Sequence, residues 1–305
     1  MPQVVVTGAS GFLGGHLTHL AAEKFQTAGF YSSFAFEMPG VSMQAVDFSH
    51  PDKIRLALDK FQPDCIIHNA ALANPDVCER NPELADLINV KATQTIADWA
   101  QANGCRLIYT STDMVFDGNQ GFYSENDTPQ PLSVYGKSKA AAEKAVLAIH
   151  STAVVCRLAL MFGRGIFLRP YASTWLEREL LSRSKSSDAS PLRLFSDQFR
   201  SMLSVRNAAR AILELCENQF QGILHIGGTE RIDRYSFGRR LCAILKVSPG
   251  LIQPVNFTSN STTAPRPKDV SLNITLAQRI LKTPLLNIAD GLKDAYANPG
   301  KDLTI

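Results

Sequence analysis

Tyr135 and Lys139 stand four residues apart in "SVYGKSKAAAEKAV". At that spacing two side chains share one face of a helix. A phenol titrates near pH 10, too high for easy proton exchange at neutral pH. An ammonium beside it stabilises the phenolate and lowers that value. The pair thus suits a general acid and its activator, as carbonyl reduction requires. It equally suits an ordinary surface pair, so other residues have to decide. Reduction also needs a hydride donor and a group to hold the carbonyl oxygen. "YTSTDMVFDG" offers two strand-end hydroxyls, Ser111 and Thr112, for the second task.

For the first task, "VVVTGASGFLGGHL" places Gly8, Gly11 and Gly14 between an apolar run and a helical pattern. Gly8 permits a tight turn, Gly11 a close approach of backbone to pyrophosphate, and Gly14 close packing of helix on strand. Ser10, Phe12 and Leu13 share this turn, and the helix N-terminus offers free N–H groups to phosphate. This spacing, between a strand and a helix, predicts dinucleotide binding.

Positioning these groups is a matter of alternating elements. Strands are expected at 4–6, 28–33, 65–70, 106–112, 153–162 and 222–228. Helices are expected at 16–25, 51–61, 82–104, 137–149, 204–218, 235–247 and 288–297. Alternation of this kind predicts an α/β fold: a doubly wound parallel sheet with helices on both faces, the Rossmann arrangement. Residues 1–162 are read as the dinucleotide-binding domain, with 201–226 returning to it. Residues 163–200, rich in Arg, Ser and Pro, read as a mobile excursion. Together with 227–305 they are expected to form a small C-terminal substrate-binding lobe over the sheet's carboxyl edge.

Composition narrows the class. The chain is 45% hydrophobic and 19% charged, with formal charge +3 and no basic stripe, which argues against nucleic acid as the main partner. No apolar run approaches the roughly 20 residues a membrane span needs, and no basic-then-apolar leader opens the chain. The six cysteines and six histidines are scattered, so thiols in a reducing cytoplasm are expected and no metal site.

"TGASGFLG" resembles the extended branch of the short-chain dehydrogenase/reductase superfamily. "STDMVFDG…YSENDTPQPLSVYGKSKAAAEKAV" resembles the dTDP-4-dehydrorhamnose reductases within it, as do "FSDQFRSMLSVRNAARAI" and "APRPKDVSLN". The resemblance implies an NAD(P)H-dependent reductase of a 4-keto group on a nucleotide-linked deoxysugar. It implies Tyr135 as proton donor, Lys139 also holding the nicotinamide ribose, Thr112 as the active hydroxyl, and Asn89 ordering a proton-relay water. It implies adenine contacts at Asp47 and Phe48, and cofactor contacts at Ala70 and Ala71. Where NAD enzymes of this branch usually carry Asp, 24 residues after the first motif glycine, this chain has Ser32. A hydroxyl there can donate to a 2′-phosphate that a carboxylate would repel, which favours NADP(H) while leaving NAD(H) possible.

Asp113, Met114, Arg200 and Arg266 are candidates for substrate contacts. Met114, Leu72, Met202 and Asn207 depart from the pattern of the rhamnose enzymes, on what is expected to be the substrate side. Related dehydratases read Thr-Asp-Glu where this chain reads Thr112-Asp113-Met114, which argues against dehydration. Sugar-nucleotide epimerases usually keep the Asp that Ser32 replaces. The regulatory subunit of methionine adenosyltransferase resembles the same subfamily, so a non-catalytic, cofactor-binding role is the alternative. The family implies a possible homodimer through the helices at 82–104 and 137–150.

Overall fold

The computed structural model describes residues 1–167, 171, 174–186, 190–257 and 263–296. In chain order the first half runs β1 (Gln3–Thr7), α1 (Phe12–Ala22), β2 (Gln26–Tyr31), β3 (Val41–Ala45), α2 (Pro51–Phe61), β4 (Cys65–His68), α3 (Pro75–Arg80) and α4 (Pro82–Ala85). A π-helical turn, Asp86–Lys91, passes into α5 (Ala92–Ala102), followed by β5 (Arg106–Thr112), α6 (Val134–Ile149), β6 (Val154–Leu158) and β7 (Met161–Phe162). Then come α7 (Trp175–Arg183), β8 (Leu192–Phe195), β9 (Phe199–Arg200), β10 (Leu203–Ser204), α8 (Val205–Glu214), β11 (Gly222–Ile226), β12 (Ile232–Asp233), α9 (Arg234–Leu245), β13 (Ile252–Val255), α10 (Thr275–Ile280) and α11 (Ile288–Tyr296).

Seven strands form one sheet in the order β11-β6-β5-β4-β1-β2-β3, each pair parallel. Alternate side chains of a strand point to opposite faces, and here both faces are covered. Val4, Val6, Ile67 and Ile108 pack with Leu13 and Leu17 of α1 and Ala208 and Ile212 of α8. Val5, Ile66 and Leu107 pack with Ile54 and Leu58 of α2, Ile96 of α5 and Val146 of α6. Each such Leu or Ile contributes about 1.5–3 kcal/mol by leaving water. A third cluster joins Leu180, Leu192, Leu194, Phe237, Leu241 and Leu292. Strand order reverses between β1 and β4. At such a reversal the loops diverge and leave a crevice at the carboxyl edge.

Several boundaries differ from the sequence reading. α1 begins at Phe12 rather than 16, because Gly14 and Gly15 are helical despite their weak propensity. β3 was not expected: it is the sheet edge, largely half-exposed, and its sequence VSMQA carries little apolar signal. The expected helix at 82–104 is split by the π turn. The 163–200 excursion contains α7 and β8, with Leu180, Leu192 and Leu194 buried, so these parts are packed structure rather than a mobile stretch. Residues 168–170, 172–173 and 187–189 of that stretch lie outside the described residues. All six cysteines are free thiols. Among the described residues no helix is long and apolar enough to cross a membrane.

Candidate active site

A cleft of about 890 Å³ opens at the switch point, along the carboxyl ends of the strands. Its first wall is the glycine turn. Gly8 takes φ of +67°, a conformation L side chains rarely adopt, and a Cβ on Gly14 would sit 2.0 Å from the Gly8 carbonyl oxygen. Only glycine therefore lets α1 start this close to β1. No side chain caps the N-terminus of α1, so its first N–H groups face the cleft as an anion site. Gly8, Ser10, Gly11, Phe12 and Leu13 line the cleft; Gly14 lies behind them, in the packing.

Ser32, Asp47, Phe48, Ala70 and Ala71 continue this wall. Ser32 is exposed. Ser49 donates to the Asp47 carboxylate from its amide at 3.0 Å and its hydroxyl at 2.6 Å, which holds that carboxyl below its usual range.

The turn carrying Ala70 is set by a buried relay. The Asn69 and Ala70 amides both donate to the Thr7 hydroxyl oxygen at 3.0 Å. Thr7 thus has its own proton left for His68 Nδ1, 2.8 Å away. His68 is then the Nε2–H tautomer and donates to Thr93 at 2.9 Å. Thr93 donates in turn to the Asn89 carbonyl at 2.7 Å. Burial pulls the His68 pKa down to about 3, keeping it neutral.

Asn89 does not line the cleft. It lies in the π turn, 1% exposed, and its amide accepts from the Leu72 N–H at 2.7 Å. The same amide donates to the Leu72 carbonyl at 3.2 Å and to Ser138 at 2.9 Å. It ties the cleft wall at Leu72 to the helix bearing Tyr135.

Ser133 caps α6 by accepting from the Gly136 amide at 3.2 Å, so Tyr135 sits in the first turn, earlier than the helix start expected at 137. A Cβ on Gly136 would lie 2.3 Å from the Met114 carbonyl oxygen. This close approach brings Tyr135 to the end of β5. Tyr135, Lys139, Ser111 and Thr112 all line the cleft. The two strand-end hydroxyls are not equivalent. Ser111 donates to the buried Glu143 carboxylate. Thr112 accepts from the Met114 amide at 3.2 Å and donates to Asp113 Oδ1 at 3.2 Å, and its hydroxyl pulls the Tyr135 pKa down.

The Tyr135 pKa nevertheless lies above its usual value, because burial outweighs that pull. This corrects the expectation that Lys139 lowers it. Lys139 is buried too, donates to the Thr110 carbonyl at 2.7 Å, and is itself pulled down to about 7 by desolvation. Within the protein alone, burial holds both groups towards neutrality.

The far end of the cleft is cationic. Arg200 and Arg266, both expected, line it with Arg234, which the sequence reading missed. Arg200 is 4% exposed and lies 3.9 Å from Asp113 Oδ2. Burial lowers the Arg200 pKa, and for Arg234 burial and then Arg200 bring it to about 10. Burial raises the Asp113 pKa against the pull of Arg200. Arg266 donates to Asp76 at 2.9 Å. Buried polar atoms here lack protein partners: Asp113 Oδ2, Gln198 Nε2, Arg234 Nε and Arg266 Nη1. A signal for Arg234 existed: it follows the helix cap Asp233, and a cation in a first helical turn opposes the helix dipole. Met114, Leu72 and Met202 line the cleft. Asn207 does not: it bonds the Pro284 carbonyl and the Leu286 amide, tying α8 to that segment.

Residues 2–299 match the RmlD substrate binding domain family. The chain belongs to this family. It is 30% identical over 277 residues to the methionine adenosyltransferase 2 subunit beta of Rattus norvegicus, covering 89% of this chain and 80% of that one. It is also 30% identical over 274 residues to a probable low-salt glycan biosynthesis reductase of Haloferax volcanii, covering 88% and 89%. Among solved structures, a dTDP-4-dehydrorhamnose reductase from Bacillus anthracis in complex with NADP superposes with TM-score 0.84 at 23% identity, over 97% and 99% of the two chains. A hypothetical dTDP-4-dehydrorhamnose reductase from Sulfolobus tokodaii gives 0.81 at 30%, over 95% and 98%.

Proposed function

We propose that this family member is an NADPH-dependent reductase of a ketone on a nucleotide-linked deoxysugar, with NADH as a possible second cofactor. The observation that carries this reading is that three kinds of group line one cleft. They are the glycine turn, the set Tyr135, Lys139 and Thr112, and arginine nitrogens that lack hydrogen-bond partners.

The Gly8–Gly14 turn leaves backbone N–H groups and the start of α1 for a pyrophosphate, and Lys139 lies where a ribose hydroxyl can reach it. When bound, the nicotinamide supplies the hydride. Tyr135 gives its proton to the carbonyl oxygen, and Thr112 holds that oxygen by a hydrogen bond. Lys139, once protonated, favours the phenolate that this leaves behind. Arg234 and Arg266 bind the substrate phosphates, because fixed guanidinium forks match phosphate oxygens. Arg200, whose Nη groups donate to the Phe199, Pro267 and Lys268 carbonyls, adds its positive charge. Trp175 and Phe195, also in the lining, offer flat faces to a base.

The test is NADPH oxidation with a panel of dTDP- and UDP-linked 4-keto-deoxysugars. Tyr135→Phe is expected to lower kcat about 10²–10⁴-fold, the range for one proton-transfer group, while NADPH still binds. Unchanged turnover in Tyr135→Phe would sink the mechanism.

A second reading is favoured by the 30% identity to the methionine adenosyltransferase subunit: a cofactor-binding regulatory subunit. No turnover on any ketone, together with a stable complex with a methionine adenosyltransferase catalytic subunit, would select it.

A further inference from the structure

One turn beyond Lys139, α6 carries a second buried charge, Glu143, 3% exposed. At i,i+4 the two share a helix face. The Glu143 carboxylate accepts from Arg157 Nε at 3.2 and 3.1 Å, from Arg157 Nη2 at 2.8 Å, and from the Ser111 hydroxyl. Arg157 is 2% exposed, and its guanidinium carbon lies 5.1 Å from the centre of the Phe116 ring. Its Nη1 lies 3.4 Å from Nε2 of His225, which burial and Arg157 keep neutral, with a pKa of about 3. His225 Nδ1 then donates to the Tyr123 carbonyl at 3.0 Å.

A buried ion pair is often no more stabilising than well-packed apolar side chains of the same volume. Its neighbour suggests another use. Lys139 donates to the Thr110 carbonyl, and its ammonium lies 4.2 Å from the centre of the Tyr109 ring. Burial pulls its pKa down, and Glu143 is the charge that opposes this.

The other titratable groups around α6 supply no equivalent anion. Tyr109 on β5 and Tyr135 on α6 are pushed up by burial, and His68 on β4 is neutral. Arg157 on β6 is a cation. Asp113, after β5, is raised by burial and faces Arg200. On α3 the Cys78 thiol is pushed up to about 11, and Glu79 accepts from the Val134 amide at 3.0 Å. α5 presents Thr93, which does not titrate. On α4 and the π turn, both packed on α6, Glu83, Asp86 and Lys91 are exposed to solvent.

We propose that Glu143 is a positioning residue of this site: it is the counter-charge that favours the ammonium form of Lys139 against burial, and through Ser111 it fixes the strand end that presents Thr112. Thr110 and Ser111 are thereby tied to α6 by consecutive contacts, Lys139 to the first and Glu143 to the second, with Thr112 next in line. Arg157 holds the carboxylate in place. The inference rests on the roles given to Tyr135 and Lys139 above.

Glu143→Gln keeps the volume and removes the charge. The first readout needs no turnover: the rate of Lys139 acylation by acetic anhydride against pH, read by peptide mass spectrometry. The second is NADPH affinity against pH, by fluorescence titration. The Lys139 midpoint is expected to fall by about one unit or more, so above both midpoints the ammonium population falls about tenfold and NADPH affinity with it. Glu143→Asp restores part of the shift. Glu143→Gln alone strands Arg157, so Glu143→Gln/Arg157→Gln is the companion. It recovers the melting temperature and still holds the Lys139 midpoint below wild type.

A Lys139 midpoint unmoved in both variants, with only the melting temperature changed, overturns the proposal. A midpoint that moves as expected in a protein that reduces no ketone keeps the proposal and removes the reductase reading.

Discussion

Acid should dismantle the cofactor wall through His68, and by an amount the structure sets. Its Nδ1 accepts the Thr7 proton, while Thr7 already accepts two backbone N–H groups. A proton added at Nδ1 would therefore face a hydroxyl with no acceptor position left for it. The folded pKa is about 3 against a reference of 6.5. A base depressed in the folded state takes up its proton first in the unfolded chain. Its contribution is thus fully present above pH 6.5 and is lost as pH falls towards 3. At pH 4.5, two units below the reference, the loss is about 3 kcal/mol. The assay is urea unfolding of wild type and His68→Gln at pH 7 and pH 4.5. Gln keeps an acceptor and a donor but does not titrate. Its own destabilisation cancels when each protein is compared with itself. The stability lost between the two pH values should be smaller in His68→Gln by about 2–3 kcal/mol. Equal losses would refute both the buried neutral histidine and the relay built on it.

Two further outcomes follow from the walls of the cleft. Gly14→Ala forces a Cβ against the Gly8 carbonyl oxygen, which is backbone and cannot swing away. It should cost about 1–3 kcal/mol or more and abolish measurable NADPH binding, checked by thermal melting and fluorescence titration. Arg234→Met removes a half-buried side chain whose buried Nε lacks a hydrogen-bond partner. It should leave the melting temperature unchanged or raised, yet raise KM for a phosphate-bearing substrate about tenfold or more, the equivalent of about 1.4 kcal/mol.

Tyr135, Lys139 and the three glycines were legible because each function imposes a fixed spacing on a regular element. The strands whose side chains are buried on both faces, such as CIIH and RLIYT, announced themselves as continuous apolar runs. β3 did not, since an edge strand with alternate exposure needs few apolar residues. Neither did α7 and β8, whose few buried leucines stand among arginines and serines. In the site, the resemblance alone favoured Thr112 over Ser111, and the physical difference, Glu143 engaging the Ser111 hydroxyl, is visible only in the packed chain. The Thr7–His68–Thr93 relay joins residues 61 and 25 positions apart, a pairing no local pattern encodes. Burial, which decides the directions of the Tyr135 and Lys139 pKa values, is likewise a property of the packed chain.

The wide turn at Asp86–Lys91 makes this helix a place where length matters more than composition. A π turn holds one residue more than an α-helical turn, and each residue of a regular helix advances about 100°. α4 and α5 both pack on α6, so each must keep its own phase. The wide turn absorbs the surplus residue without rotating one segment against the other, and Asn89 projects from it towards Leu72 and Ser138. Removing a single residue here would rejoin the two segments as one unbroken helix. Both halves would keep the faces they now present, because the surplus residue is what the wide turn absorbs, and what would be lost is the bulge that aims Asn89 at Leu72. A one-residue gap inside a helix, ordinarily the least tolerated of length changes, is at this position the difference between clasping the cleft wall and letting it go.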